Sequence, residues 1–149
     1  MYPDERVARL ITDNFIPARV HVKDQAADFQ RYGERYNAQW TPTVLFLDPD
    51  GVERHRIEGF LPNDDFLGQL MLGLGQLAFK RGDFGAAGRW FMKVVDTLPN
   101  SDAAPEAQYW AGVSEYKGTG NGAALAATAK AFSERYQDST WAKKASIWK

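Results

Sequence analysis

Two kinds of hydrophobic spacing divide this chain. In the first part, apolar and polar residues alternate over Ile16–Val22, and a continuous apolar run follows at Val44–Leu47. Both patterns are typical of β-strands. After about residue 80 the strand patterns stop, and turns rich in glycine or proline separate helical segments of about 15 residues. The pattern predicts an α+β region followed by an all-helical region.

Three helices are predicted within or beside the α+β region. The first spans residues 4–14, where Pro3 suits the first helical turn. The second spans residues 25–37, and we expect the Asp24 carboxylate to cap it. The third is long and is capped by Asn63. Their apolar faces are formed by Val7, Leu10 and Ile11, by Phe29, Tyr32 and Tyr36, and by Phe66, Leu67, Leu70, Met71, Leu74 and Leu77.

The strand patterns predict how each strand is buried. Alternation over Ile16–Val22 indicates one buried face, with Pro17 at a strand start or edge. The uninterrupted run Val44–Leu47 indicates a strand buried on both faces, as in the middle of a sheet. Asp48–Gly51 is typical of a turn. Val52–Glu58 then returns as the other arm of a hairpin, and its charged residues suit an exposed edge.

The change from strand to helix patterns near residues 62–66 predicts a domain boundary. We assign residues 1–65 to the α+β domain and residues 66–149 to the helical domain. The helical domain contains an internal repeat, because a shift of 38 residues superposes like residues. The superposed pairs are Ser101 and Ser139, Ala104 and Ala142, Ala107 and Ala145, and Trp110 and Trp148.

The start of the helical domain resembles a tetratricopeptide repeat. The residues that carry this resemblance are Leu74, Gly75, Gly82, Phe84, Ala87, Phe91 and Pro99. The second unit, around Tyr109–Gly112, matches the motif less well. The resemblance implies stacked helical hairpins with a concave binding face, whereas a generic helical bundle is the alternative interpretation. Trp90, Trp110 and Trp148 are expected to be packing anchors.

The α+β region resembles thioredoxin-like proteins over about residues 1–80. The resemblance rests on Trp40–Thr43, the apolar strand after it, the Asp48–Gly51 turn and Gly59–Phe60, together with the order of helices and strands. It implies an incomplete thioredoxin-like α/β sandwich with a cis peptide bond before Pro42. It also implies a groove beside this loop, in which an extended peptide pairs with a free backbone edge. The predicted binding residues are Trp40, Thr41, Pro42, Gly59 and Phe60.

The sequence departs from the thioredoxin-like pattern in one decisive respect. It contains no cysteine, and thiol–disulfide exchange requires a thiolate. The central strand and the Cys-x-x-Cys helix that the family places before Met1–Phe15 are also missing. We therefore expect either a non-catalytic module that binds a protein or peptide, or the C-terminal portion of a thiol-disulfide oxidoreductase that starts further upstream. The missing strand leaves a gap through which we expect the chain to self-associate.

The sequence gives little support for a metal site or a cofactor site. His21 and His55 are the only histidines and have no partner ligands nearby in the sequence, so no metal site is predicted. Asp48 and Asp50 resemble the start of a calcium loop, but Gly59 occupies the position of its last ligand, so a hairpin turn is the better interpretation. The glycines at 118–122 follow a helix, which does not fit a dinucleotide loop. We predict no cofactor.

Composition and charge restrict the class of partner. Charged residues make up 25% of the 149 residues, and the net charge is -1. This balance gives no general attraction to nucleic acid or to an anionic membrane surface. No apolar run approaches the roughly 20 residues of a membrane helix, and residues 1–15 lack a signal-peptide core. We expect a cytoplasmic protein whose partner is another protein or a peptide.

Overall fold

The computed structural model describes residues 4–149, and the chain separates into two compact units, residues 1–63 and residues 64–149. An α+β unit is followed by an all-helical unit, so the predicted fold class is confirmed. The helices and strands are α1 (Glu5–Asn14), α2 (Ala26–Tyr36), β1 (Thr43–Leu47), β2 (Glu53–Glu58), α3 (Asn63–Lys80), α4 (Phe84–Thr97), α5 (Ala104–Thr119), α6 (Ala123–Glu134), α7 (Thr140–Ala145) and a 3-10 helix (Ser146–Trp148).

Helix α1 begins at a side-chain cap. The Asp4 carboxylate accepts a hydrogen bond from the backbone N–H of Arg6 at 2.8 Å and is bonded by the Arg6 guanidinium as well. These bonds hold the pKa of Asp4 below its usual value, the Arg6 side chain being the main cause. Val7 and Leu10 are buried, as the apolar face predicted. The prediction for Pro3 falls outside the described residues.

The predicted strand Ile16–Val22 is wrong. The segment forms no strand, and the described residues contain a single sheet made of β1 and β2. Ile16 is completely exposed and Val22 is also exposed, so the alternation marks no buried face. A strand needs a neighbour to pair its backbone groups. Residues 4–149 supply none at this position, so the pattern alone could not produce a strand.

Helix α2 forms where it was predicted, but its cap is different. Gln25 occupies the N-cap position without a side-chain bond, so the expected cap by Asp24 is wrong. The Asp24 carboxylate instead lies 3.1 Å from Nδ1 of His21. The helix ends at Asn37, whose φ of +50° is left-handed, and Ala38 donates to the Gly33 carbonyl at 2.8 Å. This is a common way to satisfy the last helical carbonyls.

Strands β1 and β2 form an antiparallel hairpin with a bulge between Phe46 and Leu47. Its turn is built on Asp48, whose carboxylate accepts bonds from the backbone N–H groups of Asp50 and Val52 and from the Arg54 side chain. The Val52 bond is the main cause that lowers the pKa of Asp48. Gly51 has a φ of +78°, which favours glycine. The hairpin-turn interpretation is confirmed.

The burial predicted for Val44–Leu47 is wrong. Only Phe46 is buried in β1, and Leu47 is 40% exposed. The reason is that β1 has β2 on one side and no strand on the other among residues 4–149. The Phe46 ring contacts Phe15 and His55, with centroid separations of 5.5 and 5.1 Å. His55 therefore serves in packing, next to the one buried aromatic side chain of the hairpin.

The helical unit packs small residues of one helix against large residues of the next. A Cβ atom on Gly75 of α3 would lie 2.4 Å from the ring of Phe91 on α4, and Phe91 is fully buried. Gly112 of α5 faces Thr128 of α6 in the same way. Gly75 and Phe91 are as far apart in the sequence as Gly112 and Thr128 are. Close approach of both helix pairs therefore depends on glycine at equivalent positions.

The turns before α5 and α7 are also equivalent. Ser101 donates through its backbone N–H and its hydroxyl to the Leu98 carbonyl, at 3.0 and 2.8 Å. Ser139 makes the same two bonds to the Tyr136 carbonyl, at 3.1 and 2.7 Å. The 38-residue shift noted in the sequence thus superposes turns of the same local structure. The equivalent turns and glycine contacts show that this unit is built of helical hairpins. Their tetratricopeptide character stays a prediction.

An aromatic cluster connects the helices of this unit. Trp110 contacts Phe79 at a centroid separation of 5.3 Å, and Tyr109 stacks on Trp148 at 4.8 Å. Trp141, which the sequence patterns did not single out, contacts both Tyr109 and Trp110. Packing roles for Trp110 and Trp148 are confirmed. Trp90 is half-buried on α4, with the Lys93 ammonium 5.4 Å from its ring.

Glu106 lies against this cluster and gives a testable pH dependence. Burial is the main cause that raises its pKa, opposed by a hydrogen bond from Trp110 Nε1 at 3.3 Å and by Lys144, whereas Asp102 adds to the increase. The folded state then binds the Glu106 proton more tightly than the unfolded state does. Stability from this group is present below the unfolded pKa and is lost as pH rises through the folded pKa.

We therefore expect Glu106→Gln to raise the thermal midpoint at pH 7. The glutamine side chain still offers an acceptor oxygen to Trp110, and it carries no charge whose partial burial would cost free energy. At acid pH, where Glu106 is protonated, the variant and the unchanged protein should have the same thermal midpoint. Thermal unfolding over a pH series checks this, and an equal difference at every pH would contradict the explanation.

Candidate functional site

The predicted binding residues lie at the open end of the hairpin, opposite the Asp48–Gly51 turn. The Gly59 N–H donates to the Pro42 carbonyl at 2.8 Å, immediately beyond the first ladder pair, Thr43 and Glu58. This bond brings together the two segments that the sequence placed in one site. The chain enters the hairpin through Trp40–Pro42 and leaves it through Gly59–Phe60, so both segments share one end of the sheet.

The entering segment has a fixed local structure. The Thr41–Pro42 peptide bond is cis, as predicted. The Thr43 hydroxyl donates to the Trp40 carbonyl at 2.6 Å and thereby closes the loop across the proline. Trp40 is 69% exposed, and Thr41 and Pro42 are exposed too. The role of these exposed residues in binding stays a prediction.

The leaving segment exposes a second large aromatic residue. Gly59 has a φ of +86°, and a Cβ atom there would meet no atom within 4 Å. Phe60 follows it and is 75% exposed. Large aromatic side chains are costly to leave in water and dominate the energetics of many interfaces. Two of them, one on each segment at the same end of one sheet, form a candidate contact surface.

Arg56 positions this end of the hairpin, and sequence reasoning missed it. Its guanidinium forms ion pairs with Glu53 at 2.6 Å and with Glu58 at 2.8 Å, and these bonds raise the pKa of Arg56. It also donates to the carbonyls of Tyr36 and Asn37 at the end of α2. The bonds tie α2 to β2, and the loop that joins α2 to β1 contains Trp40. The charged residues of β2 had indicated only a solvated edge.

Among residues 4–149 no group of three or more histidine, aspartate or glutamate side chains converges. The Asp48 carboxylate is instead engaged by backbone N–H groups and by Arg54, which lies 2.8 Å away. Because the sequence contains no cysteine, this chain has no thiolate for disulfide exchange.

A comparison with family models gives the domain type. Residues 1–72 match the family described as a thioredoxin-like domain. The match supports a thioredoxin-like fold for the N-terminal part of this chain. Searches of curated proteins and of solved structures find no significant match. The described residues of this region contain only two strands, so the thioredoxin-like fold is incomplete here. The family match also supports the resemblance inferred from Trp40–Thr43 and Gly59–Phe60.

The family match stops within α3 and leaves the remaining helices unassigned. From residue 4 onward, no helix is both long enough and apolar enough to cross a membrane. The aromatic cluster described above contributes half-buried side chains from α3, α5, α7 and the 3-10 helix. The members are Phe79, Tyr109, Trp110, Trp141 and Trp148.

Proposed function

We propose that this chain is a non-catalytic module that binds a protein or peptide through the thioredoxin-like domain. The observation that carries the proposal is the exposure of Trp40 and Phe60 at the open end of the hairpin. The absence of cysteine supports binding over thiol chemistry for these 149 residues. The bound segment would be extended, with its backbone beside Thr41 and apolar side chains against the two aromatic rings.

The helical unit supplies a second surface in this proposal. Its helices form hairpins with glycine at equivalent contact positions, which supports a repeat architecture. In such architectures the first helices of successive hairpins line the concave face that the resemblance implies. Four of the five half-buried side chains of the aromatic cluster lie on α3, α5 and α7, which would be those helices, and they would contact the partner.

A substitution of Trp40 tests the proposal. A phage-displayed library of random peptides is selected on the immobilised protein, and the affinity of the best peptide is measured by calorimetry. We expect Trp40→Ala to weaken this affinity by about tenfold to thirtyfold, as for an aromatic residue at the centre of an interface. Because Trp40 is exposed, the far-ultraviolet circular dichroism and thermal midpoint should be unchanged.

The matched control is Val52→Ala, which removes an exposed apolar side chain from the other end of the same hairpin, beside the Asp48–Gly51 turn. Its affinity for the selected peptide should equal that of the unchanged protein. If Trp40→Ala binds as tightly as the control does, the assignment of the groove is wrong.

The second candidate is that these residues form the C-terminal portion of a thiol-disulfide oxidoreductase. The thioredoxin-like match supports it, because such a domain can position a disulfide substrate beside a Cys-x-x-Cys segment supplied from outside these 149 residues. The intact mass and thiol content of the protein made by its own cell decide between the two. A mass of 16.7 kDa without thiols favours the binding module, and a larger mass with new thiols favours the oxidoreductase.

A further inference from the structure

Glu106 on α5 is a half-buried carboxylate without an ion pair. Its side chain accepts a hydrogen bond from Trp110 Nε1 at 3.3 Å, and no cation of residues 4–149 lies within ion-pair distance of it. Burial raises the pKa of Glu106, because the surroundings stabilise the charged form less well than water does. A charged side chain that costs the fold free energy at neutral pH is a candidate for a role in binding.

Rings of the aromatic cluster lie beside this carboxylate. Trp110, one turn further along α5, donates to it, and both Tyr109 and Trp141 contact Trp110. These side chains are half-buried, so part of each is open to solvent. The face of an aromatic ring attracts a cation through its quadrupole, and a carboxylate alongside adds a full negative charge. The arrangement therefore combines two groups that recognise an organic cation.

A cation of the chain itself already lies on one of these rings. The Lys144 ammonium is 3.9 Å from the centroid of the Trp141 ring, and its charge acts on Glu106 against the effect of burial. The carboxylate of Asp102, four residues before Glu106, acts in the opposite sense to Lys144. Two carboxylates therefore share one nearby ammonium, and the site keeps an excess of negative charge that a second cation would balance.

We propose that Glu106 and the rings beside it bind the side chain of an arginine carried by the partner protein or peptide. A guanidinium is planar and weakly hydrated, so it stacks on an indole ring while its N–H groups donate to a carboxylate. A lysine ammonium is compact and strongly hydrated, and Lys144 already supplies one. This inference names the partner's chemistry at the helical surface and rests on that part of the proposed function. The hairpin groove at Trp40 takes no part in it.

The magnetic resonance signal of the Trp110 indole N–H tests the proposal with a small probe, Nα-acetyl-arginine amide. We expect the probe to shift this signal, and its citrulline counterpart, which has a similar shape without the charge, to bind about tenfold more weakly. Glu106→Gln should weaken binding of the arginine probe by about tenfold as well, because the amide carries no charge. The matched control is Glu115→Gln, which removes the same charge from an exposed position of α5. It should bind the probe like the unchanged protein.

Lys144→Ala separates binding from a purely structural role of the cluster. It should tighten binding of the arginine probe by about twofold to fivefold, because it frees the Trp141 ring and removes a like charge. Trp40→Ala should bind the probe unchanged, so a failure of the hairpin groove leaves this test intact. The two probes are compared on the unchanged protein, which keeps the test decisive if a variant does not fold. Equal binding of the two probes would overturn the proposal, as would equal binding by Glu106→Gln and Glu115→Gln, or no shift of the Trp110 signal at the solubility limit of the arginine probe.

Discussion

Gly75→Ala is expected to destabilise the helical unit by about 2 kcal/mol, although alanine is the better helix former by about 1 kcal/mol. The added Cβ atom would lie 2.4 Å from Cε1 of Phe91 and less than 3 Å from two more atoms of that ring. Phe91 is completely buried, so the ring has no free space to enter. Denaturant unfolding followed by circular dichroism measures the change.

Two further variants show whether the contact with Phe91 is the cause. Gly88→Ala on α4 is the matched control, since its Cβ atom would have no neighbour closer than 3.8 Å. It should stabilise the unit by about 0.5–1 kcal/mol through helix propensity. Phe91→Leu should reduce the cost of Gly75→Ala in a double-mutant cycle. Additive effects of the two substitutions would show that the α3–α4 packing is described wrongly.

Phe46→Ala is expected to destabilise the thioredoxin-like domain by about 3–5 kcal/mol. Phe46 is the one buried residue of β1, and its ring contacts Phe15 and His55. Truncation leaves a cavity between the hairpin and the residue that follows α1. Amide exchange should increase across β1 and β2, while α4 and α5 stay protected.

The neighbouring residue provides the control for this prediction. Leu47→Ala removes an exposed side chain and should cost less than about 1 kcal/mol. Both variants are measured at the lowest practical concentration, which separates folding from association. If the two substitutions cost the same free energy, Phe46 does not hold the hairpin together.

Local sequence signals predicted the parts of the fold that depend on local contacts. The hairpin follows from Asp48 and Gly51, which supply the acceptor and the left-handed backbone of the turn. The start of α1 was argued from Pro3, whereas the cap that the structure shows is the Asp4 carboxylate. The helical unit follows from the spacing of apolar residues, and the closeness of α3 and α4 from Gly75 opposite Phe91.

The errors in the prediction share a physical cause. Ile16–Val22 and Val44–Leu47 have strand-like patterns, but the number of neighbours that a strand obtains is a property of the whole sheet. Residues 4–149 give the first segment no partner and the second only one. Asp24 is a good capping residue by type, yet Gln25 occupies the N-cap position. Arg56 was missed because its bonds to the end of α2 join residues far apart in the sequence.

The sequence predicted the residues of the candidate site but not the exposure of their side chains. Trp40 and Phe60 were identified from their places beside Pro42 and Gly59, and the structure places both segments at one end of the hairpin. The exposure of the two rings follows from the open end of the sheet, which no local pattern reports. The identity of the partner depends on surfaces of another molecule.

Peptide-induced chemical-shift changes across the whole chain test the central claim most directly. The unchanged protein, labelled with ¹⁵N, is titrated with the peptide selected from the phage library. The account predicts that the largest changes lie at Trp40, Thr41, Thr43, Gly59 and Phe60, and that Trp40→Ala needs about tenfold to thirtyfold more peptide to reach them. Changes confined to α5 and α7, with none at the open end of the hairpin, would contradict it.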